Sequence, residues 1–333
     1  MVIARSRIVN PSEPGWYHCI SRCVRRAYLC GDDALGRNCD HRKAWVRDRL
    51  RLLSQLYAVE VAGYAVMSNH FHVVLRVDPT LPESWDAEEV VRRWLTIFPS
   101  RYSIDGTAVP PQESVVQQRA QNVELVTKLR LRLGSLSWFM RSFKEPIARR
   151  ANKEDDCGGA FWEGRFNSIA LLDEAAVLAC MAYVDLNPIR AGIAATPEES
   201  DYTSVQERAL ALDSRRPQSL LAKADAVKSQ WLLPIASCVS GVDEAWYLHM
   251  VDHTGRFLRG ENKGTIPNSL LPILQRLEID QTRWVEAMAR SGESRGTAMG
   301  HAAVRMREAV RRGMQWISSY SRIFNGQKLR SEV

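Results

Sequence analysis

The chain has 333 residues, 45% hydrophobic and 25% charged, with a formal net charge of +7 and seven cysteines. That size suits one large domain with an appendage, or two domains, and the apolar share allows a proper core. No run of roughly eighteen apolar residues occurs, which argues against a membrane-spanning helix. Met1-Val2-Ile3-Ala4-Arg5 has no signal-peptide core, and the odd cysteine count does not read as a disulfide framework. A reducing, cytoplasmic location and a polyanionic partner are the expectations.

Arg5, Arg7, Pro11 and Pro14 make a basic, extended arm. Trp16 to Cys23 alternates as a strand does, and Arg22, Arg25 and Arg26 then gather three cations suited to phosphate contacts. An ordinary solvated strand end would look the same. Cys19, Cys23, Cys30 and Cys39 lie near His18 and His41, but not at the paired short spacings of a zinc module. Asp40 to Tyr57 predicts an amphipathic helix, with Trp45, Leu50, Leu53 and Leu56 near one face and Arg42, Lys43, Arg47 and Arg49 facing out.

Val59 to Met67 predicts a strand, Ser68-Asn69 a turn, and His70 to Val77 a second strand. Side chains at i and i+2 of a strand share a face. His70 and His72 therefore project together, with Phe71 opposite, and two imidazoles on a rigid strand are most of a divalent-metal site. Two half-exposed histidines would give the same pattern. By strand parity with His70, Tyr64 also falls on the metal side. Strand, helix, strand, strand is the first half of a ferredoxin-like split βαβ arrangement.

Asp78 to Gly134 interrupts this course with five prolines and a polar stretch. It predicts an inserted lobe, with a short helix over Ala87 to Leu95 and another over Ser114 to Leu133. Ser135 to Asn152 predicts a helix whose Arg141, Lys144, Arg149 and Arg150 could face a DNA backbone or only solvent. Phe161 to Ala170 leads into a fourth strand, where Arg165 could hold a phosphate or pair with Glu163. Asp173 is a candidate N-cap, with Glu174 in the first turn. The helix it starts should end near Asn187, because Pro188 disfavours helical geometry just before it. Tyr183 and Asn187 are i and i+4 and share a face, as a core tyrosine and a capping asparagine also would. Val205 to Val333 predicts an accessory helical region: helices over Val205 to Leu212, Leu220 to Trp231, Ile266 to Ala289 and Ala302 to Ile323, and an isolated His249/His253 pair between them.

Four stretches in this order, Gly15 to Arg26, Ala65 to Leu75, Phe161 to Phe166 and Asp173 to Gly192, resemble the IS200-like single-tyrosine transposases. The likeness is to the REP-associated tyrosine transposases of the HUH nuclease superfamily, and it spans roughly residues 1 to 208. It departs from the family pattern at the long insert. The resemblance implies an α+β fold, with a ferredoxin-like catalytic domain over 1–204 and the helical region after it. It implies a nuclease that cuts and rejoins single-stranded DNA near hairpins through a 5′-phosphotyrosine link, leaving a free 3′-hydroxyl. Tyr183 is then the nucleophile, activated by its surroundings because a free phenol is weak. His70, His72 and the Asn187 oxygen can hold Mg²⁺ or Mn²⁺ and leave positions for water and phosphate. The candidate DNA contacts are Arg22, Arg25, Arg26, Arg141, Lys144 and Arg165. The expected partner is single-stranded or hairpin DNA, with a homodimer allowed. The alternative is a domesticated or catalytically inactive DNA-binding regulator of the same fold. A barrel metal hydrolase would need repeated strand-helix units, which the sequence lacks.

Overall fold

Four antiparallel strands, β1 (Gly15–Arg22), β2 (Val59–Val66), β3 (His70–Val77) and β4 (Asn167–Leu171), lie side by side in the order β2-β3-β1-β4. The computed structural model describes residues 5–24, 29–32, 36–104, 107–212, 231–258 and 297–317. After a four-residue turn of helix, α1 (Arg5–Ile8), the chain runs β1, helix α2 (His41–Leu56), β2, β3. The inserted lobe follows as α3 (Ala87–Ile97), α4 (Glu113–Ala120) and α5 (Val123–Leu133). Helix α6 (Leu136–Glu154) then leads to β4. This is an α+β protein whose two split βαβ halves are ferredoxin-like. The valine-rich strands 59–66 and 70–77 pair through the Ser68-Asn69 turn, closed by the Met67 amide on the His70 carbonyl at 2.8 Å.

One face of the sheet is closed by α2 and α6. Tyr17, Cys19, Phe71, Val73 and Leu75 point into it and meet Leu50, Leu53, Phe139 and Phe143. The other face takes helix α7 (Glu174–Asp185), which packs on β2, β3 and β4. Every residue of α7 from Ala175 to Asp185 is buried. A helix apolar on all sides must be covered on all sides. The sheet supplies one cover, and α10 (Ile235–Cys238) and α11 (Glu244–Leu258) contribute to the same core. Asp173 caps α7, accepting from the Ala176 amide at 2.8 Å. The helix stops at Asp185, and a separate turn, α8 (Asn187–Arg190), starts beside Pro188.

Four expectations need correction. Ser114 to Leu133 is two helices, because Asn122 caps α5 by accepting from the Leu125 amide. Arg42 does not face out: it is 1% exposed and clamps α2 to the end of α6 through Glu154 and Asp155. Arg49 is likewise turned inward, donating to the Ser142 and Ile97 carbonyls. The helix expected over Ala302 to Ile323 stops at Arg311, as α12 (Ala302–Arg311); the described region after residue 204 is otherwise mainly helical as expected, beginning with α9 (Ser204–Leu212), and it adds β5 (Ala298–Met299), parallel to β4 at the sheet edge. The helices expected over Leu220 to Trp231 and Ile266 to Ala289 lie, almost entirely and entirely, outside the described residues. The ends of the insert do meet. A Cβ on Gly134 would stand 2.9 Å from the Pro79 carbonyl oxygen, so only glycine allows that approach. Among the described residues no helix is long and apolar enough to cross a membrane.

Candidate active site on the α7 face of the sheet

The site is built where β1 and β3 run side by side beneath α7. In the β1–β3 register Ile20 lies opposite His72 and His18 opposite Val74, so His18 is the diagonal neighbour of His72. The odd-numbered residues Cys19 and Phe71 go to the closed face, which leaves His18, His70 and His72 together on the other. His70 and His72 rings are 4.9 Å apart between centroids, and His18 stacks on His72 at 5.1 Å. Tyr183, from the last turn of α7, stands edge-on over both, 5.6 Å from His72 and 6.0 Å from His18. The shared face of His70 and His72, and the approach of Tyr183, are as the sequence predicts. His18 was missed. Its place depends on which strand β1 pairs with, and no local spacing carries that.

Hydrogen bonds assign the ring atoms. His70 Nδ1 bonds the Asn69 side-chain oxygen at 2.6 Å, and His72 Nδ1 bonds His18 Nε2 at 2.9 Å. His72 Nε2 is buried and has no hydrogen-bond partner. Burial pushes the His18 pKa down to about 3, and burial with the nearby Arg22 charge brings His70 to about 4. His72 is held well below the usual histidine range by burial, then by His18, His70, Arg22 and Arg190. At neutral pH all three are uncharged imidazoles, the form that binds metal ions.

Asn187 sits one turn past Tyr183, as its spacing predicts. Its amide nitrogen donates to the Tyr183 carbonyl at 3.1 Å, so it also closes the helix end. Burial raises the Tyr183 hydroxyl pKa, and Asn187 and Arg190 pull it partly back. The Arg190 guanidinium lies 5.4 Å from the Tyr183 ring centre. Arg190 is a second residue that sequence reasoning left without a role, although it lies inside the Asn187-Pro188 stretch. Among the described residues no three His, Cys, Asp or Glu side chains converge as a metal cage. The donors present fit a divalent cation in another way: two neutral ring nitrogens, one of them a buried orphan, and an amide on the facing helix.

Tyr64 is not on this face. β2 carries a bulge between Val61 and Gly63, which returns Tyr64 to the closed side opposite Val73. Its hydroxyl bonds Glu207 there.

The candidate DNA contacts separate. Arg22 ends β1 opposite His70, and its exposed side chain borders the histidines. Arg165 is exposed in the segment before β4, which joins β1 through the Glu163 amide on the Arg22 carbonyl at 2.9 Å. Lys144 is a correction: it is 8% exposed and donates to the Gly164 carbonyl at 3.0 Å over the Trp162 ring, so it ties α6 to the β4 approach. Arg141 is exposed but pairs with Glu145, as does Arg149, and α6 covers the face away from the histidines. Arg25 and Arg26 lie outside the described residues. The His249 and His253 rings are 4.5 Å apart, with no third ligand among the described residues.

No protein-family model and no curated protein matches the chain. Among solved structures, it is similar to that of a REP-associated tyrosine transposase bound to a REP hairpin, at 10% identity and a TM-score of 0.37, over 63% of this chain and 86% of that one.

Proposed function

We propose that the protein is a metal-dependent nickase and strand transferase for single-stranded DNA, working through a phosphotyrosine intermediate. The observation that carries this reading is the meeting of Tyr183, from a distant stretch of chain, with His72, whose ring lies beside that of His70 on the same strand face. The motif order in the sequence supports it independently.

In this reading Tyr183 Oη attacks the phosphorus of a DNA phosphodiester. The bond from phosphorus to the 3′ oxygen breaks, the bond to Oη forms, and the phenolic proton passes to the leaving 3′ oxygen, directly or through water. The product is a 5′-phosphotyrosine and a free 3′-hydroxyl, and rejoining is the reverse exchange, so no nucleotide triphosphate is consumed. Arg190 and Asn187 oppose the burial that makes the phenol a weak nucleophile. Arg22 and Arg190 bring positive charge to the histidine cluster, where the phosphate would lie. His70 Nε2, His72 Nε2 and, after rotation away from the Tyr183 carbonyl, the Asn187 oxygen would hold Mg²⁺ or Mn²⁺. A cation so held neutralises charge on the non-bridging phosphate oxygens.

The test is a covalent adduct. The full chain is incubated with Mn²⁺ and single-stranded oligonucleotides, with and without hairpins, from the DNA flanking its own gene, then run on a denaturing gel. An adduct is expected with the wild type, and none with Tyr183→Phe or in excess chelator. Binding of hairpins without an adduct would replace this reading with the regulator alternative.

A further inference from the structure

We propose that the inserted lobe carries a second surface for single-stranded DNA, a row of aromatic rings and guanidinium groups centred on Trp94, Trp138 and Arg132. The choice of partner rests on the DNA reading above; the surface itself is separate from the histidine site.

The row runs across the ends of three helices. Phe98, which closes α3, lies 4.7 Å from the Trp94 ring, and Trp94 lies 5.6 Å from Trp138 in the first turn of α6. The Arg132 guanidinium, from the last turn of α5, stands against both indoles, 5.2 Å from the Trp94 ring centre and 4.2 Å from that of Trp138. Arg141 follows on α6, 5.1 Å from the Trp138 ring. Of the three aromatic side chains that stand exposed among the described residues, Phe98, Tyr102 and Trp316, two belong to this lobe. The Trp138 carbonyl accepts from Tyr57 Oη at 3.3 Å. Tyr57 lies just before β2, at the end of the β2–β3 pair away from His70.

Charge and shape select the partner. Elsewhere in the lobe arginines are matched by acids: Arg92 pairs with Glu88, Glu89 and Glu113, and Arg93 pairs with Glu89. The Arg132 side chain makes no ion pair or hydrogen bond among the described residues. Arg141 shares the Glu145 carboxylate with Arg149. The row therefore keeps positive charge beside its rings. Guanidinium N–H groups suit phosphate oxygens, and exposed rings and guanidinium planes give unpaired bases flat faces to stack on. A cation–π contact that served only to fasten α5 to α6 would not need Phe98 and Tyr102 in water. A duplex keeps its bases stacked on one another, and an acidic peptide would meet the charge but leave the flat faces unused.

The experiment uses the full chain and an oligothymidylate of about 12 nucleotides, which has no hairpin for the histidine site to read. Ultraviolet crosslinking with peptide mapping reports where the strand lies, and anisotropy of a labelled strand reports affinity against salt. Crosslinks are expected on peptides carrying Phe98 or Trp138. Arg132→Gln should lower the slope of log affinity against log salt by roughly 0.7. Phe98→Ala removes an exposed ring from a helix end and should weaken binding by about 10-fold. Crosslinks confined to the stretches around Arg22 and the histidines would overturn the proposal, as would a folded Phe98→Ala/Arg132→Gln double variant that binds as the wild type does. Poly-glutamate that competes as well as DNA of equal charge would assign the row to an acidic protein and overturn it too. If the double variant does not fold, the wild-type crosslink map and the Arg132→Gln slope decide. A wild type that binds oligothymidylate through the lobe but forms no adduct at Tyr183 overturns the nickase reading alone. An adduct at Tyr183 with no crosslink to the lobe overturns this inference alone.

Discussion

The two faces of the sheet are made by the same strands, and they bury different chemistry. On the closed face Phe71 packs edge-on against Phe143 and Trp162, at 4.9 and 5.4 Å between ring centres, and aliphatic side chains fill the rest. On the α7 face, one residue along the same strand, His72 is 3% exposed with a ring nitrogen that has no partner. Tyr183 from α7 stands over it, on a helix whose buried residues include Ala175, Ala176, Ala179 and Ala182. The first face follows the rules that hold folds together. The second breaks one of them, the pairing of buried polar atoms, at the spot where the chemistry is proposed. An unpaired buried nitrogen destabilises a fold, and the cation proposed above would relieve this one.

Adjacent substitutions can split the two faces. Phe71→Ala should cost about 3–5 kcal/mol in stability, read as a lower urea midpoint. Cleavage per folded molecule should persist. His72→Leu should abolish cleavage and cost about 1–3 kcal/mol, less than Phe71→Ala, because it removes the unpaired Nε2 but also breaks the Nδ1 bond to His18. A large loss of stability in His72→Leu would show that the histidine is structural, and the contrast between the faces would fail.

The α7 face also contains a buried acid. Asp185 accepts from the Ser204 hydroxyl at 2.6 Å, the Val205 amide at 3.1 Å and the Tyr247 hydroxyl at 2.6 Å, with Arg208 and Cys180 nearby. Burial raises its pKa to about 6 despite these donors. The folded value is above the unfolded one, so the protonated acid contributes stability at low pH, and that contribution is lost as pH rises through about 6. The full effect is on the order of 2–3 kcal/mol. Asp185→Asn should flatten the stability profile between about pH 4 and 6. An unchanged profile in that variant would assign the slope to other groups.

What was legible follows from the range of the signals. The β2–β3 hairpin, the His70/His72 face and the Asp173 cap depend on neighbours within a few residues, and all read directly. Tyr183 and Asn187 read as one face, and they are one. His18 was not legible, because its meaning comes from the register between β1 and β3. Tyr64 was misread because one bulge reverses strand parity. Arg42 sits among solvent-type residues on α2, and only the return of Glu154 and Asp155 from a distant helix buries it. The β5 pair is too short to carry any pattern.

Charge on the two faces should separate in DNA binding. Arg22 borders the histidines, while Lys144 is buried on α6 with the Gly164 carbonyl. Arg22→Ala should weaken binding of a single-stranded oligonucleotide and lower the slope of log affinity against log salt by roughly 0.7. Lys144→Met should leave that slope unchanged and cost about 1–2 kcal/mol of stability through the lost bond to Gly164. Equal salt slopes for Arg22→Ala and the wild type would remove Arg22 from the DNA path.

The smallest expected effect is at Tyr64, and it tests the face assignment most sharply. Sequence parity puts Tyr64 beside His70, and the bulge puts it with Phe71 and Val73 instead. Its hydroxyl bonds Glu207, which also accepts from the Trp231 indole at 2.8 Å. Burial and the Glu207 charge hold the Tyr64 phenol well above the ordinary tyrosine pKa, further from a phenolate than burial alone would leave it. Tyr64→Phe removes one hydrogen bond, yet leaves Glu207 with the indole and with Arg51 at 3.8 Å. The loss in stability should be about 0.5–1.5 kcal/mol, and the yield of covalent DNA adduct should equal that of the wild type. Peptide mapping of a trapped adduct gives the same information from the other side, with the nucleotide expected on Tyr183. A nucleotide on Tyr64, or an adduct lost in Tyr64→Phe, would mean that β2 turns its other side to the histidines and that the two faces have been exchanged.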